Sequence, residues 1–117
     1  MKTAIISGEH YFGVEIAPDG RIVVAERIPG RVSQSLEFPS GSAGAQALRR
    51  HIERESSHPH VCIAACGAAA LNLASALIPA PGMEVTIVRG AAIQQATPAQ
   101  SSEERAARLA RLAERLF

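Results

Sequence analysis

Residues 10–28 read HYFGVEIAPDGRIVVAERI and carry the strongest fold signal in the chain. In the first half every second residue is apolar, namely Phe12, Val14 and Ile16. Such alternation is typical of a half-buried β-strand. The second half is rich in isoleucine and valine, and Pro18-Asp19-Gly20 separates the two halves. Because Asp-Gly between two such runs is a strong hairpin signal, the stretch predicts two antiparallel strands with Asp19 in the turn.

Segments on both sides extend this hairpin into a predicted antiparallel meander. Residues 3–7 form a short apolar run, which predicts a first strand ahead of the hairpin. On the other side Pro29-Gly30 breaks the chain, and an extended piece with Leu36 and Phe38 on one face follows. Residues 29–38 are interpreted as an insertion or a lengthened third strand.

Helices and strands alternate in the rest of the chain. The predicted helices cover residues 43–55, 68–77 and 102–116, and the predicted strands cover residues 61–66 and 84–88. Residues 91–95 are predicted to form one or two helical turns. Strands joined by helices pair in parallel through right-handed crossovers. The order βββαβαβα therefore predicts one α/β domain over residues 1–117, with a five-stranded mixed sheet and flanking helices.

The composition excludes several classes of protein. A length of 117 residues suits one domain, and 47% apolar residues are enough for a folded core. A net charge of +1 argues against a strongly basic nucleic-acid clamp. The low aromatic content of 3% argues against a stacking platform for single strands. Asp19 is the only aspartate, which disfavours a two-metal site built on several aspartates.

The lack of a recognisable targeting signal and the spacing of the cysteines both predict a cytoplasmic protein. No run of 18 apolar residues is present, so no membrane span is expected. The N-terminus reaches Gly8-Glu9-His10 too early to hold the core of a signal peptide. Cys62 and Cys66 are four residues apart, which on a strand is about 13 Å. That separation is too long for a disulfide, and we expect buried free thiols.

Local sequence adds a resemblance to a known family. Its stretches are IIS at 5–7 followed by YFGV at 11–14, DGRIV at 19–23, VCIAACG at 61–67, MEVTIV at 83–88 with AAI at 91–93, and RLARLA at 108–113. Together with the strand order, they resemble the RuvC-like, RNase H-like N-terminal domain of the DEDD transposases of bacterial insertion sequences and Piv-type DNA invertases. The resemblance covers nearly the whole chain and implies an RNase H-like fold.

The resemblance also implies four acidic positions that bind divalent metal ions at the DNA backbone. In this chain those positions fall on Ser7, Ala64, Glu103 and Ala106. One carboxylate cannot hold two cations, so the resemblance implies a degenerate domain without catalysis. An alternative alignment assigns Glu9 or Glu15 to one acidic position. No cofactor is expected, and Mg²⁺ is expected only if residual activity remains.

The last predicted helix has an apolar face beside a basic stripe. The apolar face consists of Leu109, Leu112 and Leu116. Six arginines are candidates for phosphate contact: Arg49, Arg50, Arg54, Arg108, Arg111 and Arg115. This pattern is typical of a helix docked on its own sheet with a solvated basic edge. It also suits a partner surface, because arginine binds phosphate well and a leucine ridge can pair two helices.

Two other groups of residues are candidates for a metal site and for a catalytic nucleophile. On a strand, His58, His60 and Cys62 share a face, but a spacing of about 6.5–7 Å suits a single zinc ion poorly. Cys66-Gly67 follows a strand as a nucleophile elbow does, but the Gly-x-Ser-x-Gly pattern is absent. We therefore predict no metal site and no catalytic nucleophile.

Three functions remain as hypotheses from the sequence. The first is an inactive transposase-like domain, related to DNA transposition or recombination, that keeps DNA or RNA binding, self-association or both. The second is a protein-interaction or structural module that dimerises through the last helix. The third is a residual metal-dependent nuclease. They are ranked in this order, and a homo-oligomer is compatible with the first two.

Overall fold

A computed structural model describes residues 9–28, 34–65, 67–78, 82–89 and 101–116. The strands are β1 (Glu9–Ile16), β2 (Ile22–Arg27), β3 (Gln34–Phe38), β4 (His58–Ala65) and β5 (Glu84–Arg89). The helices are α1 (Gly41–Glu55), α2 (Ala68–Leu77) and α3 (Ser102–Leu116). The described elements follow the order βββαβαβα. The same order was predicted with other leading strands, because the prediction began with a strand at 3–7 and took 29–38 as an insertion or a lengthened third strand. The predicted first strand at 3–7, Ser7 within it, Cys66 and the helical turns at 91–95 lie outside the described residues.

The five strands form one mixed sheet in the order β3-β2-β1-β4-β5. Strand β2 pairs antiparallel with β1 and with β3. Strand β4 pairs parallel with β1 and with β5. The predicted α/β class and the mixed five-stranded sheet, a meander followed by parallel strands, are therefore confirmed.

The third strand of the meander differs from the predicted one. The extended piece at Leu36 and Phe38 is β3, in which these two residues lie opposite Val24 and Ile22 of β2. Both side chains are half-buried against the core, whereas Glu37 between them is exposed. The alternation spans only five residues, too short for the sequence pattern alone to separate a strand from an insertion.

The turn between β1 and β2 is built as the sequence predicts. The amide of Gly20 donates to the carbonyl of Ala17 at 2.8 Å, and the amide of Arg21 donates to Asp19 Oδ1 at 3.1 Å. Gly20 has a φ of 95°, a conformation that suits glycine. Hydrogen bonding from the Arg21 backbone lowers the pKa of the Asp19 carboxyl below its ordinary value. Asp19 therefore stabilises the turn by accepting a hydrogen bond from the Arg21 amide.

Helices cover both faces of the sheet. On one face α1 and α2 pack on the even-numbered residues of β1, with Phe12 and Val14 fully buried. On the other face α3 packs on residues of β1, β2 and β4 through Ala106, Leu109, Ala110 and Ala113. Gly13 allows the close approach of α3, because a Cβ there would overlap the Ala106 carbonyl oxygen and the Ala110 amide nitrogen. Within the described residues, no helix is long and apolar enough to cross a membrane.

Candidate functional site

Glu15 is a buried carboxylate near the carboxyl end of β1 and is only 7% exposed. It lies opposite Val23 of β2. On its other side Val14 lies opposite Ile63 of β4, so Glu15 and Ala64 are each one residue further along this parallel pair. In the pleat of β1, Glu15 shares a face with Tyr11 and Ala17, which pack under α3.

Arg105 in the first turn of α3 supplies the partner of this carboxylate. Its Nε donates to Glu15 Oε2, and its Nη2 lies 3.5 Å from Ser102 Oγ. A buried charge is tolerated when an opposite charge with matching hydrogen-bond geometry faces it. The guanidinium therefore neutralises Glu15 at the position where the helix begins.

A capping box fixes the start of α3 and so the place of Arg105. The hydroxyl of Ser101 accepts from the Glu104 amide at 3.2 Å, and Glu104 Oε1 accepts from the Ser101 amide at 3.0 Å. The bond from the Ser101 amide, and to a smaller extent that from the Ser101 hydroxyl to Glu104 Oε1 at 3.2 Å, lower the pKa of the Glu104 carboxyl. Ser101 therefore caps the helix, directly before its first helical residue, Ser102.

Three of the four positions that the family resemblance would make acidic lie within the described residues. Ala64 is buried with Leu109 and Ala113 on the α3 side of the sheet. Ala106 is fully buried on the same side, in a cluster that includes Val23. Glu103 is exposed in the first turn of α3. Since Glu15 lies between Val23 and Ala64 in the sheet, the positions of Ala64 and Ala106 flank it, while Glu103 faces solvent.

The sequence pattern did not identify Arg105 as a partner of Glu15. The alternation of β1 puts Glu15 on the face opposite Phe12 and Val14, which in a half-buried strand is the solvent face. Only the packing of α3 shows that this face is buried and that Arg105 is the partner of the carboxylate.

The six candidate arginines divide between the two faces of the sheet. Arg49, Arg50 and Arg54 belong to α1, and Arg108, Arg111 and Arg115 belong to α3. Because α1 and α3 cover opposite faces, the six arginines do not form one continuous patch for phosphate contact. Their separation follows from the sheet topology, which places a complete layer of strands between the two helices.

The two arginine groups have similar exposure, with Arg50 and Arg54 exposed and Arg49 half-buried on α1. On α1, Arg49 Nη1 donates to the Ala76 carbonyl at 3.4 Å and its Nε lies 3.6 Å from Glu53. On α3, Arg111 and Arg115 are exposed and Arg108 is half-buried. The stripe formed by Arg108, Arg111 and Arg115, here called the α3 stripe, therefore leaves two arginines open to a ligand, as α1 does with Arg50 and Arg54.

A second buried polar cluster lies on the α1 side and was missed by the sequence reasoning. The Glu26 carboxylate is 5% exposed. It lies 3.3 Å from His10 Nδ1 and 3.3 Å from His51 Nε2. The cluster joins β1, β2 and α1, and Glu26 and His51 are 25 residues apart in the sequence. Both histidines are therefore partners of a carboxylate that is buried on the α1 side of the sheet.

The histidines near β4 have other partners than a shared metal ion. His60 Nδ1 lies 2.7 Å from Glu84 Oε1, and its ring stacks on Tyr11 with centroids 5.4 Å apart. His58 is exposed and Cys62 is buried. No group of three or more His, Cys, Asp or Glu side chains in the described residues is arranged to hold a metal ion. Cys62 is a free thiol, and burial raises its pKa to about 11.

A cavity of about 400 Å³ opens between α1, α2 and the β1–β2 turn. Its lining includes Ile22, Ala45 and Leu73, with Ser42 and Asn72 among the polar members. None of the described residues that line it is charged. The cavity lies on the face of the sheet opposite Glu15 and Arg105, so it is separate from that pair.

Comparison with known proteins gives no family for this chain. No protein-family model matches it, and no curated protein is significantly similar to it. Functional inference therefore depends on the geometry of Glu15, Arg105 and the surfaces around them.

Proposed function

We propose that this chain is an RNase H-like, transposase-like domain that binds the nucleic-acid backbone without cleaving it. The meander followed by parallel strands supports the RNase H-like part of the proposal. The pairing of Glu15 with Arg105 supports the loss of cleavage and is the observation that carries the proposal.

Metal-dependent cleavage of a phosphodiester requires several carboxylates around the ions. The region that corresponds to the acidic site holds one buried carboxylate, Glu15, between the alanines at 64 and 106. Arg105 supplies a positive charge that faces this carboxylate directly. A guanidinium neutralises a carboxylate but cannot activate water as a bound metal ion does. The geometry therefore favours binding without hydrolysis.

The α3 stripe is the proposed contact surface for phosphates. It lies on the outside of the helix whose inner face packs on the sheet, and Arg111 and Arg115 are both exposed. Arginine donates several N–H groups in a fixed geometry that suits phosphate oxygens. Because the chain has a net charge of only +1, binding is expected to be weak and to decrease steeply with salt.

Fluorescence anisotropy with a labelled DNA duplex and a labelled RNA tests this proposal. The wild-type chain should bind at low salt, and the logarithm of the binding constant should fall linearly with that of the salt concentration. In the Arg111→Glu/Arg115→Glu variant the magnitude of that slope should decrease by about 2, because each phosphate contact contributes about one unit.

The matched control is Arg50→Glu/Arg54→Glu on α1, which changes the net charge by the same amount on the opposite face. It should retain a slope close to that of the wild type. Equal losses in both variants would show a general charge effect and contradict a specific role for the α3 stripe. No binding at low salt would remove the nucleic-acid part of the proposal, and calorimetric binding of Mg²⁺ by the wild-type chain would contradict the inactive site.

A further inference from the structure

Large apolar side chains are exposed at one corner of the domain. In the part of the chain that the structure describes, the exposed ones are Leu71 (59%), Ile78 (61%) and Ile87 (40%). Ile87 of β5 lies opposite Ile63 of β4, which is buried in the layer beneath α1 and α2. In a sheet, directly paired residues point to the same face, so Ile87 is on the α2 side.

The other two side chains lie on the flank of α2 that faces away from α1. The core face of α2 carries Leu73 and Leu77. The flank that lines the cavity with α1 carries Asn72 and Ala76. At 100° per residue, Leu71 and Ile78 fall about 100° from the core direction on the opposite flank. That flank overlooks the β5 edge, so these two residues and Ile87 form one surface, here called the β5 corner.

The β5 corner has almost no charge at its centre. Helix α2 reads AAALNLASAL and contains no charged residue. Strand β5 reads EVTIVR, so four consecutive β-branched residues separate its two terminal charges. A surface helix without a charged face is unusual for a solvated position and indicates contact with another surface.

The two edges of the sheet differ in the features that prevent an edge strand from pairing with another chain. The β3 edge reads QSLEF, has an exposed Glu37 ion-paired with Arg21, and is followed by Pro39. Charge and proline are devices that prevent an edge strand from pairing with another chain. Within the described residues β5 is the other outer strand, and its centre, from Val85 to Val88, lacks both devices. The β5 edge is therefore suited to pairing.

We infer that the β5 corner binds a second copy of this chain through antiparallel β5–β5 pairing. A two-fold axis perpendicular to the sheet relates two such edges, which leaves both α2 helices on the same face of a continuous ten-stranded sheet. With Thr86 at the axis, Val85 of each copy lies opposite Ile87 of the other, on the face that also carries Leu71 and Ile78. The same surface is then buried on both copies, as a symmetric dimer requires.

A second copy would pair with the β5 edge and would also cover the exposed apolar side chains. The backbone groups along the outer side of β5 gain hydrogen-bond partners, and the three exposed apolar side chains leave water. The α3 stripes of both copies lie on the opposite face of the joined sheet and remain accessible. The dimer and the proposed nucleic-acid binding use different surfaces, so failure of one does not imply failure of the other.

Light scattering coupled to gel filtration tests the inference on the complete chain. The wild type should give twice the 12.3 kDa mass of one chain, and Ile87→Lys should give the mass of a monomer. Leu71→Lys, on α2, should also weaken the dimer. The matched control Ser35→Lys places the same charge on the exposed β3 edge and should remain dimeric. Circular dichroism spectra like that of the wild type would show that each variant is folded.

Mixing two variants makes the test independent of any loss of stability. Ile87→Lys and Ile87→Glu should each be monomeric alone, but an equimolar mixture should recover the dimer mass, because the opposite charges meet near the two-fold axis. A monomeric wild type would overturn the inference. A dimer that survives Ile87→Lys, or a mixture that remains monomeric, would place the contact elsewhere and overturn it equally.

Discussion

At the scale of single residues, Glu15 and Arg105 depend on each other. Glu15 is buried near the end of a central strand, and Arg105, 90 residues later in the chain, reaches it from the first turn of α3. Removing one partner of a buried ion pair leaves an uncompensated charge, which costs several kcal/mol. The two side chains are therefore expected to be strongly coupled.

The coupling can be measured with a double-mutant cycle. Arg105→Ala should lower the free energy of unfolding by about 3 kcal/mol, because it leaves the Glu15 carboxylate buried without its cation. The Glu15→Ala/Arg105→Ala double variant should lose less than the sum of the two single variants. Urea unfolding monitored by circular dichroism gives all three values.

Arg111→Ala is the control for that cycle, since it removes an exposed arginine from the same helix. It should change the unfolding free energy by no more than about 0.5 kcal/mol. Strictly additive effects of the Glu15 and Arg105 substitutions would show that the two groups do not interact and would contradict the site described above.

The thiol of Cys62 offers a second residue-scale prediction. Burial raises its pKa from 9.0 to about 11, so the folded chain disfavours the reactive thiolate. In a Cys66→Ser variant Cys62 is the only cysteine, and a disulfide reagent at pH 8 should modify it only after unfolding. Reaction in denaturant is the control.

The raised pKa of Cys62 predicts that the folded chain becomes less stable at high pH. Because the unfolded chain releases the thiol proton above about pH 9 and the folded chain does not, this group destabilises the fold progressively from pH 9 upward. Rapid modification of the folded Cys66→Ser variant at pH 8 would contradict the burial of Cys62.

At the scale of elements, the docking of α3 depends on Gly13. A methyl group there would overlap backbone atoms of Ala106 and Ala110 and would lie 2.7 Å from Leu109 Cβ. Backbone atoms cannot rotate away as side chains do, so α3 has to move. Gly13→Ala should therefore destabilise the domain by about 3 kcal/mol, the upper end of the cost of overpacking.

Hydrogen exchange would locate the effect of this substitution. Amides of α3 should lose protection in Gly13→Ala, whereas those of α1, on the opposite face, should lose less. Ser35→Ala on the exposed β3 strand is the reference for an unaffected chain. A wild-type unfolding midpoint for Gly13→Ala would mean that α3 does not approach β1 as closely as described.

The packing of α3 also bears on how the chain can dimerise. Leu109 is fully buried against the sheet and Leu112 is half-buried. A dimer formed through this apolar face would require α3 to leave its own sheet. The helical pattern alone, read at 100° per residue, does not distinguish an intramolecular face from an intermolecular one, because both require the same spacing. The outer face of α3 keeps the arginines that we assign to phosphate.

At the scale of the whole molecule, the sheet separates the proposed surfaces. The α3 stripe and the Glu15–Arg105 pair lie on one face, and the cavity and the flank of α2 with Leu71 and Ile78 lie on the other. The β5 edge joins the two faces at one side of the molecule. A dimer through this edge would place two α3 stripes on one continuous face, which suits simultaneous contact with one extended polyanion.

The sequence by itself determined the local elements. The Asp19-Gly20 turn, the helices that follow residue 40 and the mixed order of strands depend on spacings within a few residues, and such spacings are visible in one dimension. The bounds of α2 and α3 agree with the predicted ranges. The sequence pattern was insufficient to predict structure where the alternation is weak, as in β3, and where glycine and alanine occupy one face of a strand.

Only the tertiary structure decided which residues meet. It paired Glu15 with Arg105, placed the two arginine groups on opposite faces and left the β5 corner exposed. The physical reason is that the face on which a side chain lies is set by the pairing register of strands distant in sequence. A shift of one residue in that register reverses every side chain of a strand, and no local pattern fixes it.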